Sequence, residues 1–252
     1  MDKKSLVETA DGTFTARSER FDECYHSTRD GALQESLKKH VEPAFSLVPP
    51  RESYTILDIC FGLGYNTLTT LWYLERIGFG GKVRILSPEF DEALVRSLAD
   101  FPYPEALRPY RKVVESIAET GSYEEEGREI RVVFGDAREF LRKTKERFDI
   151  VYQDAFSPKK NPLLWTKEYF ADLAAHLKEH GVVTTYSSAT PVRMGMVENG
   201  LFVYNPPSEG VRSGTVASPR SDLPLEPIDM ALKKKRNPAA APLYDRDFMP
   251  TL

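Results

Sequence analysis

The sequence predicts an α/β fold built on a mostly parallel sheet, and three features of the chain support this. An apolar segment at 54–59 ends at a Gly-x-Gly turn, 62–64, and an amphipathic segment at about 65–77 follows directly. Apolar segments of strand length then alternate with segments of helix length as far as residue 199. The last two apolar segments are joined by a short turn-rich link. Alternation is typical of parallel sheets, whereas a short link indicates an antiparallel hairpin.

The composition indicates one soluble globular domain with small extensions. The chain has 252 residues, of which 41% are hydrophobic and 29% charged, with a formal net charge of −4. No segment approaches the roughly 18–20 apolar residues that span a bilayer, and the polar start lacks the apolar core of a signal peptide. Cys24 and Cys60 are the only cysteines, and neither a disulfide nor a metal site is predicted. We expect a cytoplasmic protein without membrane association; its oligomeric state, for which a monomer is one option, stays open.

Three regions are predicted: an N-terminal extension over 1–50, an α/β domain over 51–218 and a proline-rich C-terminal tail over 219–252. The extension contains short strands near 13–16 and 24–27 and a helix after Asp30. Predicted strands of the domain are 55–60, 82–87, 130–134, 149–153, 181–186, 201–204 and 214–217. Predicted helices are 65–77, 90–99, 104–120, 136–146, 166–179 and 190–199. Seven strands, one of them antiparallel, match the Rossmann-like class I methyltransferase fold.

The Gly-x-Gly turn predicts a nucleoside site. Gly62 and Gly64 allow a positive φ and a close approach of the backbone to a ligand. A dinucleotide site would require a third glycine, where Thr67 stands, and the chain has no Gly-x-x-x-x-Gly-Lys-Ser/Thr motif. The sequence therefore favours a nucleoside without phosphates, and S-adenosylmethionine is the predicted cofactor.

Acidic residues at the predicted strand ends extend this site, because ligands of open α/β sheets bind at the carboxyl ends of the strands. Glu89 follows the second strand of the domain and can accept both ribose hydroxyls. Asp136 follows the third strand and can accept from the adenine amine. The alternatives are a surface charge for Glu89 and a helix N-cap for Asp136. The predicted cofactor-binding residues are Asp58, Gly62, Gly64, Asn66, Glu89, Asp136 and Asp154.

The fourth strand leads into Asp154-Ala155-Phe156-Ser157-Pro158, where a transferred methyl group would point. Amine methyltransferases place a polar residue, prolines and an aromatic residue at this position. Asp154 is predicted to orient the acceptor amine and take its proton. Phe156 is predicted to stack on a base and favour a cationic amine. The structural alternatives are a loop carboxylate for Asp154 and core packing for Phe156.

A longer segment, Phe148 to Trp165, closely resembles the methyltransferase domain of the bifunctional tRNA 5-methylaminomethyl-2-thiouridine biosynthesis family, MnmC. Stretches within 25–35, 61–66 and 185–193 are similar to that family in the same order, and the resemblance covers about 14–218. It implies transfer of a methyl group from S-adenosylmethionine to the aminomethyl nitrogen of the wobble uridine. The product would be 5-methylaminomethyl-(2-thio)uridine.

The resemblance also implies the tRNA anticodon loop as partner, with a uridine flipped out of its stack. Tyr25 and His26 are predicted to line its pocket. The candidate RNA-contacting cations are Lys159, Lys160, Arg193, Arg212 and the run 233–236; such a run also commonly covers a solvated face. Bifunctional relatives carry a second, FAD-dependent domain. The length leaves no room for a second Gly-rich fold, so we expect a stand-alone methyltransferase without FAD.

Two other functions compete with this interpretation. An aminopropyltransferase shares the fold and also presents an aspartate to an attacking amine, but its turn normally has a further glycine and an acidic residue where Tyr65 and Asn66 stand. A non-catalytic RNA-binding module of the same fold is the second alternative. The acidic residues at the strand ends argue against the module, because they carry the chemistry of a working site.

Overall fold

A nine-stranded sheet runs through the computed structural model, which describes residues 2–125, 127–207 and 210–248. The strands are β1 (Lys4–Glu8), β2 (Phe14–Ser18), β3 (Glu23–Cys24), β4 (Ser53–Ile59), β5 (Lys82–Glu89), β6 (Ser122–Glu125), β7 (Arg128–Phe134), β8 (Phe148–Gln153), β9 (Leu177–Thr185), β10 (Phe202–Asn205), β11 (Thr215–Ser218) and β12 (Glu226–Pro227). The α-helices are α1 (Ala32–Glu35), α2 (Glu42–Leu47), α3 (Tyr65–Arg76), α4 (Glu92–Arg96), α5 (Arg111–Thr120), α6 (Ala137–Lys143), α7 (Lys167–Ala175), α8 (Thr190–Val197) and α9 (Met230–Arg236). A π-helix (Ser36–Val41) joins α1 to α2, and 3₁₀ helices cover Leu98–Asp100, Glu105–Tyr110, Pro162–Leu164 and Asp245–Asp247.

The strand order confirms the predicted Rossmann-like α/β fold. In the described residues the order is β12-β10-β11-β9-β8-β4-β5-β7-β6, and β4, β5, β7, β8 and β9 pair in parallel. Strand β11 is antiparallel to both β9 and β10, as predicted for the final hairpin. The predicted number of strands, seven, is wrong because β6 and β12 extend the two edges. Strand β6 is acidic and β12 is two residues that include a proline, so neither shows an apolar alternation.

The sheet is buried on both faces, which explains its continuous apolar strands. Ile56, Ile85 and Ile150 belong to the core on one face. Leu57 and Val151, their neighbours in sequence, belong to the core on the other face. Because both faces are apolar, the polar residues that form a site are expected at the strand ends.

A second, smaller sheet is formed by β1, β2 and β3, which pair in antiparallel fashion. The Tyr65 hydroxyl at the start of α3 donates to the Phe14 carbonyl oxygen at 2.8 Å. The Ser157 hydroxyl, in the loop after β8, donates to the Glu23 carboxylate at 2.8 Å. The small sheet is thereby attached at the carboxyl edge of the large one. Strand β1 is not among the predicted elements.

The junction of α7 with β9 and the structure of the tail differ most from the predictions. Helix α7 ends at Ala175, and β9 begins at Leu177 rather than Gly181, because Lys178 and His180 reach the buried Asp149 carboxylate of β8 at 2.7 and 2.9 Å. The proline-rich tail contains α9, and a Thr166–Leu243 bridge joins it to the start of α7. No helix among the described residues is long and apolar enough to cross a membrane.

Candidate active site

A cavity of about 1060 Å³ opens at the carboxyl ends of the parallel strands. The small N-terminal sheet and the π-helix supply its other walls. The predicted residues that line it are Tyr25, His26, Gly62, Asn66, Glu89, Asp136, Asp154, Phe156 and Arg212. The predicted residues that do not line it are Asp58, Gly64, Lys159, Lys160 and Arg193.

The turn after β4 requires its glycines for two different reasons. Gly62 has φ 53°, and a Cβ there would lie 3.1 Å from the Tyr25 ring. Gly64 has φ 75°, and a Cβ there would lie 2.9 Å from the Phe61 ring. Left-handed backbone is costly for other residues. Gly62 thus leaves its backbone open to the cavity, while Gly64 caps the start of α3.

Glu89 is buried at the end of β5, so it is not a surface charge. Its carboxylate accepts from the Gly62 N–H at 2.9 Å and from the Asp91 N–H at 2.7 Å. Burial raises the pKa of Glu89, and these two backbone bonds oppose the rise. The carboxylate therefore holds the glycine turn and the β5 loop in register at the cavity wall, where a ribose would lie.

Asp136 is the N-cap of α6, which is the structural alternative given for it above. Its Oδ1 accepts from the backbone N–H groups of Arg138 and Glu139 at 2.8 and 3.0 Å. The side chain is exposed and also lines the cavity. Capping and ligand binding are compatible here, because both backbone bonds use the same oxygen.

Asp154 lies at the inner end of the cavity, directly after β8, with 11% of its side chain exposed. Its Oδ2 accepts from the Asn66 amide at 2.8 Å, and its Oδ1 lies 3.3 Å from Nε2 of His40. Burial by itself would raise the pKa of Asp154, but the attraction of His40, with smaller contributions from His26 and Asn66, lowers it below the ordinary value. The site thus presents an ionised carboxylate in the wall of the cavity.

Asp58 lies beneath Asn66 and supports this site from below the cavity wall. It is fully buried and accepts from the Thr67 hydroxyl at 2.8 Å and from the Asn66 amide at 3.4 Å. Burial raises its pKa to about 7; the Thr67 bond opposes the rise and the nearby Asp154 charge adds to it. Asn66 therefore bridges two carboxylates, and Asp58 contacts the cavity only through it.

Aromatic rings line the cavity beside the glycine turn. Phe156 stacks on Phe21, with centroids 4.4 Å apart and planes at 23°, and contacts Tyr25 at 4.9 Å. The Arg20 guanidinium lies over Phe21 and Phe90, 5.3 and 5.4 Å from the ring centroids. These rings offer flat faces to a base or to a cationic group.

His26 faces the cavity from a buried position. Its Nδ1 lies 3.2 Å from the Thr15 hydroxyl, and its ring packs edge-on against Tyr65 at 4.8 Å. Burial lowers the pKa of His26, although the Asp154 charge opposes this. A neutral imidazole is therefore favoured in the wall of the pocket.

The predicted RNA-contacting cations lie in three different environments. Lys159 and Lys160 are exposed beside the cavity, and Lys160 pairs with Asp22 at 3.2 Å. Arg212 is exposed and lines the cavity. Arg193 is buried instead, and burial lowers the pKa of its guanidinium.

Arg193, on α8, holds that helix to the start of β11. Its Nε donates to the Thr215 hydroxyl at 2.8 Å, and Nη2 donates to the Gly214 carbonyl oxygen at 2.9 Å. We expect Arg193→Met to lower the free energy of unfolding by about 2–4 kcal/mol, because buried polar groups lose their partners. Urea denaturation measures this, with the exposed Arg111→Met as control. Unchanged stability together with weaker RNA binding would contradict this structural role.

Two neighbouring residues of the site, Lys39 and His40, are not among the predicted ones. Lys39 is 6% exposed and pairs with Asp30 and Glu35, each at 2.7 Å. The sequence signal is weak, because Lys38-Lys39-His40 is typical of a solvated helix face. The π-helix turns consecutive polar residues inward, which a 3.6-residue period does not predict.

These residues fit S-adenosylmethionine. Gly62 lines the cavity with its backbone close to the Tyr25 ring, and the buried Glu89 carboxylate ends the adjacent strand. Carboxylates in the lining outnumber cations, which suits a positively charged sulfonium ligand. The acidic lining residues are Asp2, Glu23, Asp30, Glu35, Glu89, Asp91, Glu92, Asp136 and Asp154, against Arg20, Lys39, Arg138 and Arg212.

Comparison with known proteins gives consistent results. Residues 104–220 match a family model described as S-adenosyl-L-methionine-dependent methyltransferase. The crystal structure of MnmC2 from Aquifex aeolicus superposes with a TM-score of 0.82 at 34% identity, covering 98% of this chain and 80% of that one. An uncharacterized protein of Methanocaldococcus jannaschii is 34% identical over 212 residues, which is 83% of this chain and 57% of the relative.

A bifunctional relative is also similar. The tRNA 5-methylaminomethyl-2-thiouridine biosynthesis bifunctional protein MnmC of Ralstonia nicotianae is 29% identical over 254 residues. The match covers 91% of this chain, and the chain spans 35% of that curated relative's length. The predicted enzyme class and cofactor are confirmed by these likenesses. The chain belongs to the MnmC family of S-adenosylmethionine-dependent methyltransferases.

Proposed function

We propose that this enzyme methylates the aminomethyl nitrogen of 5-aminomethyl-(2-thio)uridine at the wobble position of tRNA. The product is 5-methylaminomethyl-(2-thio)uridine. The observation that carries the proposal is the ionised Asp154 at the inner end of a cavity walled by Phe156, Phe21 and Tyr25. The names of the MnmC relatives support the tRNA substrate. We place the reaction in the cytoplasm and assign residues 51–218 to the methyltransferase domain.

The chemistry requires an acceptor nitrogen with a free lone pair. An aminomethyl group is mostly protonated near neutral pH, so it must lose a proton before it can attack. Asp154 is the base for this proton, and Asn66 holds its second oxygen. Bound S-adenosylmethionine supplies an electrophilic methyl group. The acceptor lone pair would take this methyl group, leaving the S–C bond's electron pair on sulfur, and Asp154 would then pass its proton to water.

The charge of the lining favours this acceptor over an anionic one. Lys39, the one lysine in the lining among the described residues, is paired with Asp30 and Glu35. A carboxylate or phosphate at the inner end would therefore meet fixed negative charge, with no unpaired ammonium to receive it. An ammonium group would instead be attracted by this negative charge, and the stacked rings stabilise its positive charge.

Nucleoside mass spectrometry tests the proposal most directly. Transfer RNA bearing 5-aminomethyluridine is incubated with the protein and S-adenosylmethionine and then digested. We expect that nucleoside to gain one methyl group. Intact cofactor binding without this gain would reject the proposal and direct the search to polyamines and other amines. Tight binding of tRNA without turnover on any amine would favour the non-catalytic module.

The exposed lysines beside the cavity are expected to bind tRNA phosphates. In the double variant Lys159→Gln, Lys160→Gln, KM for tRNA should rise about tenfold and the salt slope of binding should fall by about 1–2. Saturated kcat should stay within about twofold, because neither side chain lines the cavity. The control is Lys112→Gln, an exposed lysine paired with Glu125. An unchanged salt slope would exclude these lysines from the RNA contact.

A further inference from the structure

His40 is completely buried and lies against the proposed base. Its exposed fraction is 0%, and it belongs to the π-helix Ser36–Val41 together with the buried Lys39. In an α-helix, adjacent residues point about 100° apart, so burying two adjacent polar residues beside one cavity is unusual. π-helical turns occur frequently at functional sites. The π-helical backbone thus brings His40 to Asp154. Core packing alone does not require a π-helix here.

The imidazole is held between two elements of the large sheet. Its Nε2 lies 3.3 Å from Asp154 Oδ1, and its Nδ1 lies 3.1 Å from the Thr184 hydroxyl of β9. The ring also packs edge-on against Tyr152 of β8, with centroids 5.8 Å apart. Nε2 makes no aligned hydrogen bond with any described group. Asp154 is therefore the polar group toward which this nitrogen is directed.

We propose that His40 is a positioning residue for Asp154, with its ring proton on Nε2 directed at Oδ1 of that carboxylate. The Thr184 hydroxyl then donates to the unprotonated Nδ1. This inference rests on the proposed function only in taking Asp154 as the base for the acceptor amine. His40 itself touches neither substrate nor cofactor, since it does not line the cavity.

The arrangement fixes both oxygens of the base. Asn66 donates to Oδ2 at 2.8 Å, and His40 faces Oδ1. The carboxylate plane is thereby set relative to the cavity, which matters because proton transfer and in-line attack depend on orientation. Burial acts to raise the pKa of Asp154, and the nearby His40 is the largest influence that lowers it. A ring N–H directed at Oδ1 favours the ionised form of the base and also aligns it.

Other ionisable groups surround the pair. They come from β4 and the turn after it, from β8, from the residue after β9, from the loop before α1 and from α1 itself. These groups are Asp58, Cys60, Tyr152, Tyr186, His26 and Glu35. The variants below leave all of them in place, so a change in the pH profile reports on the His40–Asp154 pair.

The test compares His40→Leu with His40→Gln in the full chain. We expect His40→Leu to lower kcat about 10- to 100-fold, less than the 10²- to 10⁴-fold of a lost acid–base group because the carboxylate itself remains. The S-adenosylmethionine dissociation constant should stay within about twofold. The acid limb of kcat against pH should move to higher pH, because Asp154 loses the group that keeps it ionised. His40→Gln should recover part of kcat, since its amide can donate to Oδ1. If His40→Leu lost thermal stability but its acid limb of kcat against pH did not move, the proposal would be overturned.

A second measurement does not depend on turnover. Nitrogen-15 NMR of the four histidines, with the His40 signals assigned by their loss in His40→Gln, reports the tautomer directly. We expect a protonated Nε2 and an unprotonated Nδ1. A proton on Nδ1 alone would overturn the proposal. If wild-type protein methylated no aminomethyluridine, the proposed function would fail, and the NMR result would still decide how His40 faces Asp154.

Discussion

Replacing Asp154 with alanine is expected to lower kcat about 100-fold or more, while the dissociation constant of S-adenosylmethionine changes little. The side chain lies at the inner end of the cavity, held by Asn66 at 2.8 Å and faced by His40 at 3.3 Å. A positioned general base typically contributes 10²- to 10⁴-fold, hence about 100-fold as the lower expectation. Single-turnover methylation of tRNA at saturating cofactor measures the loss.

The matched variant is Asp154→Asn, which keeps the shape of the side chain but cannot take a proton. It should lose nearly as much kcat as the alanine variant, because its amide is not basic. Its thermal stability should stay closer to that of the wild type, since an oxygen can still accept from Asn66. Near-normal turnover in either variant would show that another group takes the proton. Equal loss of cofactor binding and kcat would make Asp154 a cofactor ligand instead.

Replacing Glu89 with alanine is expected to weaken cofactor binding more than it lowers kcat, the opposite of the result expected for Asp154. The S-adenosylmethionine dissociation constant should rise about 10- to 100-fold. Hydrogen bonds from a ligand to the buried Glu89 carboxylate are worth about 1.5–3 kcal/mol, and the alanine variant loses them. The backbone N–H groups of Gly62 and Asp91 would also lose their acceptor, which loosens the turn. Saturated kcat should fall much less, since Glu89 is separate from the transferred methyl.

Calorimetric titration with S-adenosylmethionine measures this effect, and Glu139→Ala serves as the control. Glu139 is exposed on α6 and pairs with Lys143, so its loss should leave the dissociation constant unchanged. A Glu89→Ala variant that bound cofactor normally would remove Glu89 from the site. A variant that lost kcat while keeping affinity would assign it to the acceptor side of the cavity.

Much of the fold follows from local sequence. Continuous apolar strands, intervening amphipathic helices and a final hairpin are enough to predict a parallel sheet with one antiparallel strand. Parallel strands align their carboxyl ends at one edge, so Gly62, Glu89, Asp136 and Asp154 were expected to meet there, and all four line the same cavity. The edge strands β6 and β12 could not be predicted, because backbone pairing at an edge needs no apolar pattern.

The sequence by itself therefore determined the sheet, its turn and the strand-end carboxylates. Only the tertiary structure decided which polar residues are buried and what they contact. Arg193 and Asp58 read as ligand-binding residues, yet Arg193 ties α8 to the start of β11 and Asp58 is buried beneath Asn66. His40 reads as a solvated helix residue and is fully buried beside the base. The physical reason is that strand-end position follows from chain connectivity, whereas burial of a charge depends on partners far away in sequence.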